Sequence, residues 1–104
     1  AIPDKLLFES DYKGENVNVP LPSDGDYCAV IKYRADGDEL TQYQLTVRIN
    51  ELLGVIPVVT GTGKEEGMAK FTVTCPANPK IRFEGTPKVS HLEIYSIKGL
   101  RYEK

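Results

Sequence analysis

The sequence has no tryptophan, one histidine, one methionine and two cysteines in 104 residues. A single histidine without HxxH or CxxC spacing does not supply the ligands of an ordinary zinc site, so the residues themselves predict no zinc centre. No apolar run reaches the ~18–20 residues that a membrane-spanning helix needs. Lys and Arg number 13 against 15 for Asp and Glu, a balance that argues against a nucleic-acid partner. We therefore expect neither a membrane span nor nucleic-acid binding.

The two cysteines, Cys28 and Cys75, allow one intramolecular bridge. A disulfide needs Cα atoms within about 7 Å of each other, which a sequence does not establish. Free cysteine is also among the most buried residue types. A bridge and a pair of buried thiols both stay open.

Apolar and polar residues alternate along several short segments, which is the pattern of half-buried β-strands. In segment 44–50, Leu45, Val47 and Ile49 share one face. Segment 26–35 alternates in the same way, and turn residues separate the segments at short intervals. The length allows one domain, residues 1–104. The sequence predicts an all-β, single-domain β-sandwich or jelly roll with about seven or eight antiparallel strands.

The glycine-rich segment 61–67 invites comparison with nucleotide-binding loops. The phosphate-loop pattern fails because position 58 is Val and position 65 is Glu, and the dinucleotide pattern has the wrong glycine spacing. We predict a mobile, charged connection between strands here.

Cationic residues recur on the outward side of the predicted strands. If these strands are neighbours, they form one basic, polar face that holds an anionic partner through charge-assisted hydrogen bonds. The alternative is a solvated surface with local ion pairs. Exposed tyrosines add amphipathic contact area. The candidate binding residues are Lys32, Arg34, Tyr43, Thr46, Arg48, Arg82 and Tyr95. No nucleophile, base and orienting group can be assembled, so we predict that the protein is not an enzyme.

Three loose motifs occur in order along the chain: Gly25-Asp26-Tyr27, Leu45-Thr46-Val47-Arg48-Ile49-Asn50 and Leu92-Glu93-Ile94-Tyr95. This order resembles the galactose-binding-like jelly roll found in many carbohydrate-binding modules. The resemblance implies polysaccharide binding in which tyrosine, lysine and arginine replace the missing tryptophan, which favours an acidic sugar. In the calcium-containing members, acidic residues near both ends of the domain bind the metal. The resemblance implies Glu9 and Glu93 as the matching positions for a structural calcium ion.

The same shape is similar to that of small capsid decoration proteins of tailed phages, which grip capsid subunits without catalysis. The chain begins and ends close to its outermost predicted strands, as a complete small protein would. We therefore expect a structural attachment protein of the virion whose partner is a protein on a repeating surface such as a capsid, where many copies gain avidity. The alternative is an extracellular, secreted carbohydrate-binding module for an acidic polysaccharide. A homo-oligomer is compatible with both.

Overall fold

The computed structural model describes residues 2–50 and 55–98, and these residues form strands and connections without a helix. In chain order the described strands are β1 (Ile2–Asp11), β2 (Asn18–Pro20), β3 (Gly25–Asp36), β4 (Gln42–Ile49), β5 (Val55–Thr62), β6 (Lys64–Cys75), β7 (Lys80–Gly85) and β8 (Lys88–Lys98). Neighbouring strands pair antiparallel throughout. The prediction of an all-β sandwich is confirmed.

The strands form two four-stranded sheets. Sheet A has the order β1-β8-β3-β6, and sheet B has the order β2-β7-β4-β5. This strand order is that of a jelly roll. β2 lies at an edge of sheet B. Pro20, which has no backbone N–H, is tolerated there because an edge strand pairs on one side only. Apart from the β4–β5 hairpin, each connection carries the chain from one sheet to the other.

The core lies between the two sheets and is built from the inward half of each alternating pattern. Ile31 and Leu92 of sheet A and Leu45, Val47 and Ile81 of sheet B are essentially fully buried. The inward assignment of Leu45 and Val47 is therefore confirmed. Because every second residue of a strand points to the opposite face, the polar residues between them lie on the outer faces of the sandwich. Binding to a strand face must use these outer side chains.

Both cysteines are free thiols in buried positions. Desolvation raises the pKa of the Cys75 thiol, and the nearby charge of Asp26 adds to this effect. The sequence leaves open a disulfide bridge or two buried thiols, and the structure shows two buried thiols.

The prediction of a mobile connection at 61–67 is wrong. β5 continues to Thr62 and β6 begins at Lys64, with Gly63 alone at the corner between sheet B and sheet A. Gly63 has a φ of +85°, a left-handed conformation that glycine adopts without a steric penalty. Gly61 and Gly67 lie within strands, where they pair with Tyr43 and Tyr33. These two glycines therefore make room for aromatic rings and do not indicate a loop.

We expect Gly61→Ala to lower the free energy of unfolding by about 1–3 kcal/mol, the usual range for overpacking. A Cβ atom at this position would lie 2.3 Å from the hydroxyl oxygen and 2.5 Å from Cζ of Tyr43, whose side chain is buried. Urea unfolding checks the value. Gly67→Ala is the matched control, because Tyr33 opposite it is only partly buried and has room to move. Equal losses in the two variants would contradict the argument.

Candidate functional site

The cationic candidates lie on two opposite surfaces. Lys32 and Arg34 are on β3 in sheet A, whereas Arg48 of β4 and Arg82 of β7 are in sheet B. Their side chains face outward from their own sheets. The expectation of one shared basic face is therefore wrong, because β3 belongs to sheet A whereas β4 and β7 belong to sheet B.

The sequence predicts Tyr43 on the surface, and this prediction is wrong. Its side chain is 5% exposed and lies inside the sandwich, where its ring is 6.4 Å from that of Tyr33. The Tyr43 hydroxyl donates a hydrogen bond to the Glu65 carboxylate, and this bond is the main reason that the pKa of Tyr43 lies above its usual value. Tyr43 is in phase with the inward residues Leu45 and Val47, which is the signal that identifies it as a core residue.

A basic, polar patch lies at one end of the outer face of sheet B, and we call it the basic end. It surrounds a shallow cavity of about 330 Å³ and consists of Asn18, Arg48, Asn50, Asn78, Lys80 and Arg82. Strand register places Asn18, Arg82 and Arg48 in one row across β2, β7 and β4. Of this set, the sequence-based candidates include the two arginines, whereas Lys80 and the three asparagines are not among them.

The two arginines of the basic end hold one carboxylate between them. Arg48 donates from Nε to Oε2 of Glu84 at 3.1 Å and from Nη2 to Oε1 at 3.3 Å. Arg82 contacts Oε2 of the same residue from Nε at 2.9 Å and from Nη2 at 2.7 Å. Arg48 and then Arg82 keep the pKa of Glu84 below its usual value. Nε and Nη2 of both arginines thus converge on one carboxylate, that of Glu84, through charge-assisted hydrogen bonds.

Asn50 fixes the turn that carries the remaining polar groups of the basic end. Its Oδ1 accepts a hydrogen bond from the backbone N–H of Lys80 at 2.6 Å, and its own N–H donates to the Lys80 carbonyl at 3.0 Å. Asn50 and Asn78 both have a φ of +53°, a conformation that asparagine tolerates better than most residues. These asparagines position Lys80 beside the arginine pair.

The other end of the same face is uncharged, and we call it the neutral end. It borders a cavity of about 610 Å³ lined by Gln42, Tyr43, Gln44, Thr60, Gly61, Thr62 and Thr86. Gln44 lies opposite Thr60, and Gln42 lies opposite Thr62. Amide and hydroxyl groups of this kind both donate and accept hydrogen bonds. Thr46, a sequence-based candidate, lies between the two ends and donates from Oγ1 to the Glu84 carbonyl at 3.2 Å.

The cationic candidates of sheet A are accompanied by carboxylates. Arg34 Nε lies 2.9 Å from Oδ1 of Asp36 and 4.0 Å from Oε2 of Glu66. Lys32 is close enough to Glu93 to help keep the pKa of that carboxyl below its usual value. On the outer face of sheet A, both cationic candidates therefore lie near carboxylates.

Tyr95 lies on this same face of sheet A. Its hydroxyl donates to Oε1 of Glu93 at 2.7 Å, and this hydrogen bond is the largest cause of the lowered pKa of Glu93. Tyr95 is thus part of an acidic neighbourhood and lies on the opposite sheet from Arg48 and Arg82.

Glu9 and Glu93, the positions implied for calcium, are direct cross-strand partners on β1 and β8. His91 lies with them: its Nε2 is 3.0 Å from Oε2 of Glu93 and 3.4 Å from Oε2 of Glu9, and its Nδ1 is 2.6 Å from Oδ1 of Asp11. Calcium takes six to eight oxygen ligands. An imidazole nitrogen against both carboxylates does not belong to such a set. The residues present do not fit a calcium ion.

We expect stability to decrease as the pH rises through the folded pKa of His91. Hydrogen bonding to Asp11, and next to Glu93, raises this pKa above the usual 6.5. A raised folded pKa means that the protonated ring stabilises the fold fully below 6.5 and that this contribution is lost above the folded value. Urea unfolding from about pH 5 to about pH 8 measures it. In His91→Gln the decrease should disappear, and an unchanged profile in this variant would contradict the assignment to His91.

The sequence matches no protein-family model and no curated protein. Solved structures with a similar fold include Eiger, a TNF from S. frugiperda, with 9% identity, a TM-score of 0.50 and coverage of 84% of this chain and 68% of that one. A second is the CBM22-1–GH10 part of Clostridium thermocellum xylanase 10B in complex with xylohexaose, with 16% identity, a TM-score of 0.49 and coverage of 92% and 20%. A third is the C-terminal domain of EclA, a sugar-binding protein, with 10% identity, a TM-score of 0.42 and coverage of 90% and 66%.

At these identities the similarity concerns the β-sandwich fold alone, and this chain spans only 20% of the xylanase chain. Within residues 2–50 and 55–98, no helix is long and apolar enough to cross a membrane. The sequence-based predictions of capsid attachment and of a virion location stay predictions.

Proposed function

We propose that this protein is a non-enzymatic binding module that holds an acidic polysaccharide on the outer face of sheet B. The observation that carries the proposal is the basic end, where three cationic side chains and three asparagines line one cavity. Arginine forks match carboxylates, and amides match sugar hydroxyls. The ligand needs no tryptophan, since charge and hydrogen bonds replace ring stacking.

Local geometry favours this face over sheet A. At the basic end Arg48 and Arg82 share the carboxylate of Glu84, and Lys80 lines the same cavity as a third cation. On sheet A, Arg34 lies between two carboxylates, and Tyr95 is bonded to Glu93. We infer that Lys32, Arg34 and Tyr95 are not ligand contacts. Attachment to a repeating capsid surface has no comparable observation in its favour and is the outcome expected if no polysaccharide binds.

Affinity electrophoresis in gels that contain acidic or neutral polysaccharides tests the proposal. We expect retardation by a polyuronate that weakens with added salt, because screening reduces the attraction between exposed charges. Lys80→Ala should reduce the affinity about three- to fivefold, the scale of one exposed charge pair. Lys32→Ala, the same substitution on the outer face of sheet A, should leave it unchanged. Retardation by neutral polymers alone, or a loss confined to Lys32→Ala, would overturn the proposal.

A further inference from the structure

The outer face of sheet B changes in character along the direction of β4. The outward side chains from one end of the strand to the other are Gln42, Gln44, Thr46, Arg48 and Asn50. Register extends this change to the neighbouring strands, because Arg48 lies opposite Arg82 and Gln44 lies opposite Thr60. Gln42 and Arg48 are six residues apart, which corresponds to about 20 Å along a strand. Charged and neutral surfaces thus follow one another over a length that accommodates an oligosaccharide.

Glu84 marks the boundary between the two ends. It lies opposite Thr46, and its carboxylate is turned toward Arg48 and Arg82. A ligand carboxylate placed beyond this point, over the neutral end, would face amides and hydroxyls with the Glu84 charge nearby. No residue from 55 to 62 is charged, so β5 supplies no cation to compensate. A sugar without charge is better suited to that end, because its hydroxyls can both donate to and accept from the Gln and Thr side chains.

We propose that the ligand is a polysaccharide in which acidic and neutral sugars alternate, lying along β4 with an acidic unit on the basic end and a neutral unit on the neutral end. This inference rests on the proposed function and narrows its ligand class. The uronate carboxylate contacts Arg82 and Lys80. The neutral sugar bonds to the cross-strand pair of Gln44 and Thr60. A polymer in which every sugar is acidic is complementary to the basic end only.

Isothermal titration with oligosaccharides of equal length tests this inference. The ligands are hyaluronan, in which uronate and neutral sugars alternate, polygalacturonate, in which every unit is acidic, and neutral cello-oligosaccharides. We expect hyaluronan to bind about threefold or more tighter than polygalacturonate, the scale of one or two additional hydrogen bonds. Equal or tighter binding of polygalacturonate overturns this inference and leaves the proposed function standing. Absence of binding to both acidic ligands overturns the two together.

Substitutions at the neutral end give a second, independent readout. The double variant Gln44→Ala/Thr60→Ala should lose the preference, so that hyaluronan binds no more tightly than polygalacturonate, while polygalacturonate binding stays as in the wild type. Thr72→Ala on the outer face of sheet A is the matched control and should keep the preference. Retention of the full preference in the double variant would overturn the assignment of the neutral sugar to this pair.

Discussion

Replacing Gly85 with alanine is expected to lower the free energy of unfolding by about 4 kcal/mol, from backbone strain and overpacking together. A Cβ atom at Gly85 would lie 2.1 Å from the carbonyl oxygen of Gln44 and 3.1 Å from Cα of Leu45. Both are backbone atoms of β4, whose Leu45 is fixed in the core, so they cannot move aside. Gly85 also has a φ of +136°, which strains any other residue. Thermal unfolding should show a loss of about 15 °C or more.

Gly25→Ala separates the two causes of this loss. Gly25 has a φ of +129°, close to that of Gly85, but a Cβ atom there would meet nothing within 4 Å. Alanine at this position therefore reports backbone strain alone, about 1–3 kcal/mol. If Gly85→Ala were no more destabilising than Gly25→Ala, the close approach between β7 and β4 would not be the cause.

The close approach of β7 to β4 at Gly85 also affects the binding surface. Gly85 directly follows Glu84 and pairs with Leu45, so its close approach sets the spacing between β7 and β4. The same spacing brings Arg48 of β4 within reach of the Glu84 carboxylate that Arg82 contacts on β7. The glycine therefore supports the geometry of the basic end as well as the stability of the sheet.

Strand positions could be predicted from the sequence because alternation reports a local property. The period of two separates Leu45 and Val47 from Thr46 and Arg48 without knowledge of any neighbouring strand. Tyr43 follows the same phase, and extending the pattern by two residues places it in the core. The prediction that Tyr43 lies on the surface is wrong because Tyr43 shares the inward phase of Leu45 and Val47.

The composition of each face could not be predicted, because it depends on which strands share a sheet. Arg34 and Arg48 both alternate outward, yet the crossover between β3 and β4 places them on opposite surfaces. His91 meets Glu9 only because strands from the two ends of the chain pair in sheet A. The single turn that the sequence allows at Glu51-Leu52-Leu53 lies outside the described residues. Pairings of this kind are set by the topology and leave no local signal in the sequence.

Arg82→Ala is expected to cause the largest loss of polysaccharide binding, about 10- to 100-fold, because a charge-assisted hydrogen bond to a uronate disappears. Arg82 lies at the centre of the row that Asn18 and Arg48 complete, so a ligand on the basic end cannot avoid it. Arg82→Lys should recover part of the affinity, since it restores the charge without the planar fork. Titration with the acidic oligosaccharide that binds the wild type measures all three proteins.

Arg34→Ala provides the matched control, because it removes the same side chain from the outer face of sheet A. There the guanidinium lies beside Asp36 and Glu66, and its removal should leave the affinity unchanged. The fold should tolerate Arg82→Ala, since Arg48 continues to bind Glu84 through two hydrogen bonds. A large loss of affinity without a comparable loss of thermal stability therefore assigns Arg82 to the ligand. A loss of affinity in Arg34→Ala as large as that in Arg82→Ala would place the ligand on both faces or on sheet A, and the basic end would no longer explain binding.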